Sequence, residues 1–81
     1  MSDVNAVIKE RIVTEFMGGT GSLDDDTLLV EEEIIDSLGI FLLLGFIKER
    51  FGVEVDPEDV TMENFATVRA ITTLVEKKNA A

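Results

Sequence analysis

Cysteine and histidine are both absent from these 81 residues. Without cysteine there is no disulfide framework and no thiolate nucleophile, and without histidine no side chain titrates near neutral pH to serve as a base or a metal ligand. Most enzyme chemistry goes with them. Serine hydrolysis would need a base beside the serine, and only carboxylates, lysines and a few hydroxyls remain for that role. Positive charge is also scarce: seven Lys and Arg stand against 17 Asp and Glu, a formal charge of -10. Nucleic acids and anionic membrane surfaces both demand clustered cations, so neither is an expected partner, and basic partners are. No long hydrophobic run is present. The longest, Leu38 to Ile47, is interrupted by Gly39 and Gly45 and reaches about half the length needed to cross a bilayer. The N-terminus lacks the basic, apolar, small-residue order of a signal peptide, because Asp3 arrives early and Lys9-Glu10-Arg11 interrupts the apolar positions. A cytoplasmic location is expected.

What is present suffices for one small domain over residues 1–81, since 46% of the residues are hydrophobic. From residue 3 to 16, Val4, Val7, Ile8, Ile12 and Phe16 form one stripe at helical spacing. Gly18-Gly19-Thr20-Gly21-Ser22 ends that helix. A long loop runs to about Asp36, with Leu23, Leu28, Leu29, Ile34 and Ile35 as candidate anchors on the helices. The second helix spans Ser37 to about Phe51. Its core stripe is Ile40, Leu43, Leu44, Ile47 and Phe51, its cap Asp36, and its stop Gly52. Val53 and Val55 read as a half-buried extended connector. Asp56-Pro57-Glu58-Asp59 has the marks of a helix start, which predicts a short third helix or helical turn over residues 57–65. Thr67 then caps a last helix that turns Val68, Ile71, Thr72, Leu74 and Val75 inward, while Lys77 and Lys78 complement its negative end. The predicted fold is all-α, a small four-helix bundle with a long first connection and a short third helix.

Asp36-Ser37-Leu38 is the chemically suggestive segment. Ser37 falls on the first turn of the second helix, where free backbone N–H groups and the positive end of the helix dipole favour an attached phosphate. With this tripeptide near mid-chain, the long acidic loop before it and the Phe51-Gly52-Val53-Glu54-Val55 exit after it, the chain resembles the acyl carrier protein family over almost its whole length. The resemblance implies that a separate phosphopantetheinyl transferase, using coenzyme A, esterifies Ser37 with 4'-phosphopantetheine, whose terminal thiol carries an acyl group as a thioester. It implies no catalytic residue in this chain, and it makes the expected protein a free-standing, monomeric carrier. Its further partners would be loading ligases and acyl-processing or acyltransferase enzymes. On the other reading, Ser37 does no more than cap the helix.

Leu38, Phe41 and Leu42 lie off the core stripe, within about one turn of Ser37. Exposed apolar residues of this kind suggest a docking patch, and Asp36, Leu38 and Phe41 are the candidate partner contacts. For Leu42 a cover by the loop from Leu23 to Ile35 is nearly as good a reading. Residues 37–55 carry Lys48 and Arg50 against Glu49 and Glu54, a net of zero. Residues 17–36 carry Asp24, Asp25, Asp26, Glu31, Glu32, Glu33 and Asp36, a net of -7. Fatty-acid synthase carriers resemble the chain less here, since their second helix is lined with acids, and the difference implies dedicated enzymes of specialised lipid, lipopolysaccharide or secondary-metabolite synthesis. An aminoacyl or peptidyl carrier loaded by an adenylating ligase is the alternative, and an unmodified acidic interaction module the second. No dedicated metal site is expected. From Asp24 the third ligand position of a calcium loop is Leu28 and the required glycine is missing, so the acids read as solvated surface. Gly39 and Gly45 each cost a helix roughly 1 kcal/mol relative to alanine. Close approach of another group, or local loosening of the helix, are the two explanations open.

Overall fold

The computed structural model describes residues 4–80. Three α-helices and one short turn of 3-10 helix follow in order: α1, Val4–Phe16; α2, Ser37–Phe51; the 3-10 turn, Pro57–Asp59; and α3, Val68–Ala80. No strand occurs among the described residues, so the all-α class is observed. Asp3, the predicted start of the first helix, lies outside the described residues.

The helices form where apolar spacing and end signals agree. On α1 the buried residues Val4, Ile8 and Ile12 are four apart, with Val7, Val13 and Phe16 half-buried beside them. Its end is set by Gly18 and Gly19, whose φ of 73° and 82° lie in the left-handed region that glycine enters without a Cβ penalty. That turn lets the Gly19 N–H donate back to the Val13 carbonyl at 2.9 Å. On α2 the buried positions are Gly39, Leu43 and Ile47, and left-handed Gly52 donates its N–H to the Lys48 carbonyl at 2.9 Å. Thr67 caps α3, its Oγ1 accepting the Ala70 N–H at 3.0 Å. Val68, Ile71, Leu74 and Val75 are buried, and α1 packs chiefly against α3.

The core is completed by side chains from outside the helices. Leu23, Leu29 and Ile35 from the first loop, Val53 from the connector, and Phe65 ahead of α3 are buried with the helical residues in one cluster. Leu29 is the pivot of the loop. Its N–H donates to the Ala66 carbonyl at 2.8 Å, and its carbonyl accepts the N–H groups of Ile34 and Ile35 at 2.8 and 3.2 Å. Glu33 makes this tight return possible by adopting a left-handed φ of 59°, a strained conformation for a residue with a Cβ. One predicted anchor is corrected: Leu28 is 41% exposed. It precedes the pivot on the turn that carries Glu32 N–H to its own carbonyl at 2.9 Å, and only Leu29 points to the core.

Of the short third helix or helical turn expected over residues 57–65, the turn is what forms, so the described residues hold three α-helices and not the four of the expected bundle. Only Pro57–Asp59 is helical, and in the tighter 3-10 form: Asp59 and Val60 donate to the carbonyls of Asp56 and Pro57, three residues back, at 2.9 and 3.2 Å. Val60 then leaves helical space at φ -84°, ψ 82°. The local bonds compete with helix extension. Asn64 Nδ2 donates to the Asp59 carbonyl at 2.8 Å, and the Thr61 Oγ1 accepts the Asn64 N–H at 3.1 Å. From α3, Lys78 Nζ lies 2.6 Å from Asp59 Oδ2 and 3.1 Å from Asp56 Oδ2, holding the turn against the last helix.

The acidic triplet is not simply solvated. Asp25 Oδ1 accepts from Lys9 Nζ at 2.7 Å and from Asn5 Nδ2 at 3.0 Å, both on α1, while its carbonyl accepts the Arg69 N–H of α3 at 3.0 Å. Arg69 in turn grips Asp26 with two nitrogens, at 2.8 and 3.2 Å. The loop therefore bridges α1 and α3. Lys9, ahead of Asn5, holds the Asp25 carboxyl below the usual carboxylate range, and Arg69 does the same for Asp26. Arg69 is itself held more strongly protonated, first by Asp26.

Candidate functional site

Ser37 is the first residue of α2 and is exposed. The capping belongs to Asp36. That residue is extended (φ -106°, ψ -172°), its Oδ1 accepts the Gly39 N–H at 2.8 Å, and its carbonyl accepts the Ile40 N–H at 3.0 Å. The side-chain bond satisfies the Gly39 N–H, one of the orphan amides of the helix start, and the Ile40 bond is the first of the regular helical ladder. The amides of Ser37 and Leu38 take no protein acceptor among the described residues, and neither does the Ser37 hydroxyl. An exposed hydroxyl, two free amides and the positive end of the helix dipole converge at one place. They fit a covalently attached phosphodiester, whose charge the dipole stabilises. No base among the described residues is hydrogen-bonded to Ser37, so what is described of the site does not activate the hydroxyl by itself.

Gly39 explains how this end of α2 is seated. A Cβ there would lie 2.8 Å from the Phe16 ring edge and 2.9 Å from Ile35 Cγ2, closer than real Cβ contacts come. The missing side chain lets α2 approach the end of α1 and the buried Ile35, while its N–H meets the Asp36 cap. Ser37 is thus set two residues from the point where α1, the loop and α2 meet. Gly45 differs: nothing lies within 4 Å of its would-be Cβ, and it is exposed.

The apolar residues singled out around Ser37 are open to solvent, with Leu38 at 67%, Phe41 at 66% and Leu42 at 62% exposure. The loop does not cover them, because Leu23, Leu29 and Ile35 are spent on the core. Leu38, Phe41, Leu42 and Gly45 form one nearly uncharged face, spaced by three and four residues. At its far end Lys48 Nζ pairs with Glu54 at 3.4 Å, leaving little net charge there. Asp36, Ser37, Leu38 and Phe41 are therefore brought together. Among the described residues no three acidic side chains are gathered as a metal site.

Arg11 was missed by sequence reasoning. It reaches from α1 to the α2 surface, its Cζ 4.5 Å from the centroid of the Phe46 ring. No local signal marks this contact, since the two residues are on different helices.

A family model described as "Phosphopantetheine attachment site" matches residues 8–75. The chain is 36% identical over 70 residues to "Probable acyl carrier protein PigG" of Serratia sp. (strain ATCC 39006), which covers 85% of this chain and 80% of that protein.

Proposed function

This chain belongs to the acyl carrier protein family, and from that premise we propose that Ser37 is its attachment residue and that dedicated enzymes of specialised lipid, lipopolysaccharide or secondary-metabolite synthesis use it. Members of the family are carriers, not enzymes, and bear 4'-phosphopantetheine covalently, the group that supplies the thiol for thioester-bound acyl intermediates. The observation that carries the reading is the exposed, unpartnered hydroxyl of Ser37 at the capped start of α2, within the matched segment. The transferase would supply the base. Ser37 Oγ forms a bond to phosphorus as the pyrophosphate bond of coenzyme A breaks, 3',5'-ADP departs, and the hydroxyl proton passes to the transferase. Asp36, Leu38 and Phe41 border the serine and are the proposed contacts of the transferase and of the acyl-processing enzymes. Their apolar exposure favours partners that bury a hydrophobic surface.

One observation favours a second reading, that of an aminoacyl or peptidyl carrier loaded by an adenylating ligase. The α2 face is uncharged, unlike the acid-lined second helix of the fatty-acid synthase carriers. Loading assays with acyl and aminoacyl adenylates separate the two.

The attachment site is tested by intact mass after incubation with coenzyme A and a broad-specificity phosphopantetheinyl transferase. One added phosphopantetheine is expected on the unaltered protein and none on Ser37→Ala, whose helical circular dichroism should match. Addition to Ser37→Ala would move the site to another residue. No addition to either, under conditions that modify a known carrier, would refute the proposal.

A further inference from the structure

In a chain so rich in acids, most cations find carboxylates. Lys9, Lys48, Arg69 and Lys78 pair with Asp25, Glu54, Asp26 and the Asp56/Asp59 pair. Arg11, Arg50 and Lys77 make no such pair among the described residues. Two of these three meet in one place. Arg11 of α1 and Arg50 of α2 line a groove of about 220 Å³ with Val7, Glu10, Thr14 and Phe46. Both guanidinium groups lie against rings: Arg11 against Phe46, and Arg50 with its Cζ 5.7 Å from the Phe51 centroid. The rings pack edge to face at 6.3 Å. A guanidinium resting on a ring is held in orientation while its N–H edge stays free, and that edge matches the two oxygens of a carboxylate.

The groove is continuous with the docking face. Leu38, Leu42, Phe46 and Arg50 form a single i, i+4 row along α2, and Arg11 also borders a smaller hollow of about 120 Å³ with Leu42, Leu43, Phe16 and Glu15. An exposed apolar strip thus leads from beside Ser37 to an arginine pair roughly 18 Å farther along the helix, twelve residues at 1.5 Å each. The acid-rich loop ends at the opposite end of α2. Asp36 is thereby separated from Arg50 by more than the Debye length of about 8 Å at physiological salt, and Asp25, the loop acid brought to α1, is paired with Lys9.

We infer that the α1–α2 groove around Arg11 and Arg50 is a specificity contact for partner enzymes that present a carboxylate-bearing apolar ridge. Such a partner places apolar side chains on Leu38 and Leu42 and a carboxylate between the two guanidinium groups. This inverts the charge preference that a net of -10 would suggest, and it confines basic partners to the loop end. Glu10 lines the same groove and Glu15 the smaller hollow, so the two arginines leave the groove itself with a single net positive charge for the partner's carboxylate. The inference rests on the carrier reading for its choice of a partner enzyme as occupant.

The test uses the 15N-labelled protein and two synthetic amphipathic helical peptides of identical leucine spacing, one flanked by glutamates and the other by lysines. The glutamate peptide should shift the Nε–H signals of Arg11 and Arg50 and the amides of Leu42 and Phe46. R11Q/R50Q should weaken it roughly tenfold, the combined effect of two exposed charge pairs. R11K/R50K, which keeps both charges but lacks the planar fork, should bind more weakly than the parent and more tightly than R11Q/R50Q, and unchanged α3 amide shifts verify the fold of each variant. Equal binding of the lysine peptide in the groove would overturn the inference. So would unmoved arginine signals, an affinity indifferent to R11Q/R50Q, or self-association through this face in sedimentation without peptide. The mass measurement at Ser37 reports on the carrier reading independently, so the two can fail separately.

Discussion

Alanine at the two glycines of α2 should act in opposite directions. In a helix interior alanine is favoured over glycine by about 1 kcal/mol, through the lower entropy of the unfolded chain. At Gly45 nothing opposes this, since its would-be Cβ meets no atom within 4 Å. Gly45→Ala should therefore stabilise by about 1 kcal/mol, which in a domain of this size raises Tm by about 4–8 °C. At Gly39 the same gain is set against contacts of 2.8 Å to Phe16 and 2.9 Å to Ile35 Cγ2. The Phe16 ring is half-buried and has some room to turn, but Ile35 is buried, and its Cγ2 moves only by a change of the χ1 rotamer inside the packed core or by a shift of the backbone. Overpacking of this kind costs about 1–3 kcal/mol, so Gly39→Ala should destabilise by about 1 kcal/mol net. Urea and thermal unfolding followed by circular dichroism at 222 nm would place the variants about 2 kcal/mol apart, on either side of the parent. A stabilised Gly39→Ala would show that the α1–α2 junction yields freely, and the account of how Ser37 is seated would fail. A destabilised Gly45→Ala would show that its face is packed by something other than solvent.

Asp36→Ala removes the cap on Gly39 and should cost about 1 kcal/mol, whereas Ser37→Ala should cost much less; equal urea midpoints for the two would contradict the assignment of the cap. Thr72 Oγ1 is buried without a hydrogen-bond partner among the described residues, so Thr72→Val, of nearly the same shape, should raise stability by about 1 kcal/mol, and a loss would reveal a hidden acceptor. Asp25, Asp26 and Asp59 have folded pKa values held below 3.8 by Lys9, Arg69 and Lys78 respectively. Depressed carboxyl values contribute stability above the unfolded value that is lost as pH falls through the folded ones. Urea midpoints should accordingly drop as pH falls through and below the ordinary carboxylate value of 3.8, and D25N/D26N should drop less. Lys78 is raised above 10.5 by Asp59 and then Asp56, so its contribution is full below that value and fades only as pH climbs through the folded one.

The elements legible in the sequence are those whose causes lie within a few residues of one another. The four-residue spacing of Val4, Ile8 and Ile12 sufficed for α1, and Asp36 with Gly52 marked both ends of α2 because capping is a contact of neighbours. The same local logic set Ser37 on a first helical turn and left Leu38, Phe41 and Leu42 outside the core stripe. Where distant segments compete for the same groups, the sequence was silent or misleading. Pro57-Glu58-Asp59 begins like a helix, but Lys78, about twenty residues later, claims Asp56 and Asp59. Leu28 and Leu29 are the same residue type, and only the bond from Leu29 to Ala66 decides which is buried. Asp25 and Asp26 look like solvated charge until Lys9 and Arg69 are brought to them.

By itself, then, the sequence determined the helical class, the span of the three α-helices and the place of the serine, since helical period and end caps are written in adjacent residues. Only the tertiary structure decided that Gly39 is a packing junction while Gly45 is open surface, and that Arg11 stands over Phe46 beside Arg50. Those facts depend on which segments the shared core draws together, and burial of Leu29, Ile35 and Phe65 sets that arrangement for the molecule as a whole.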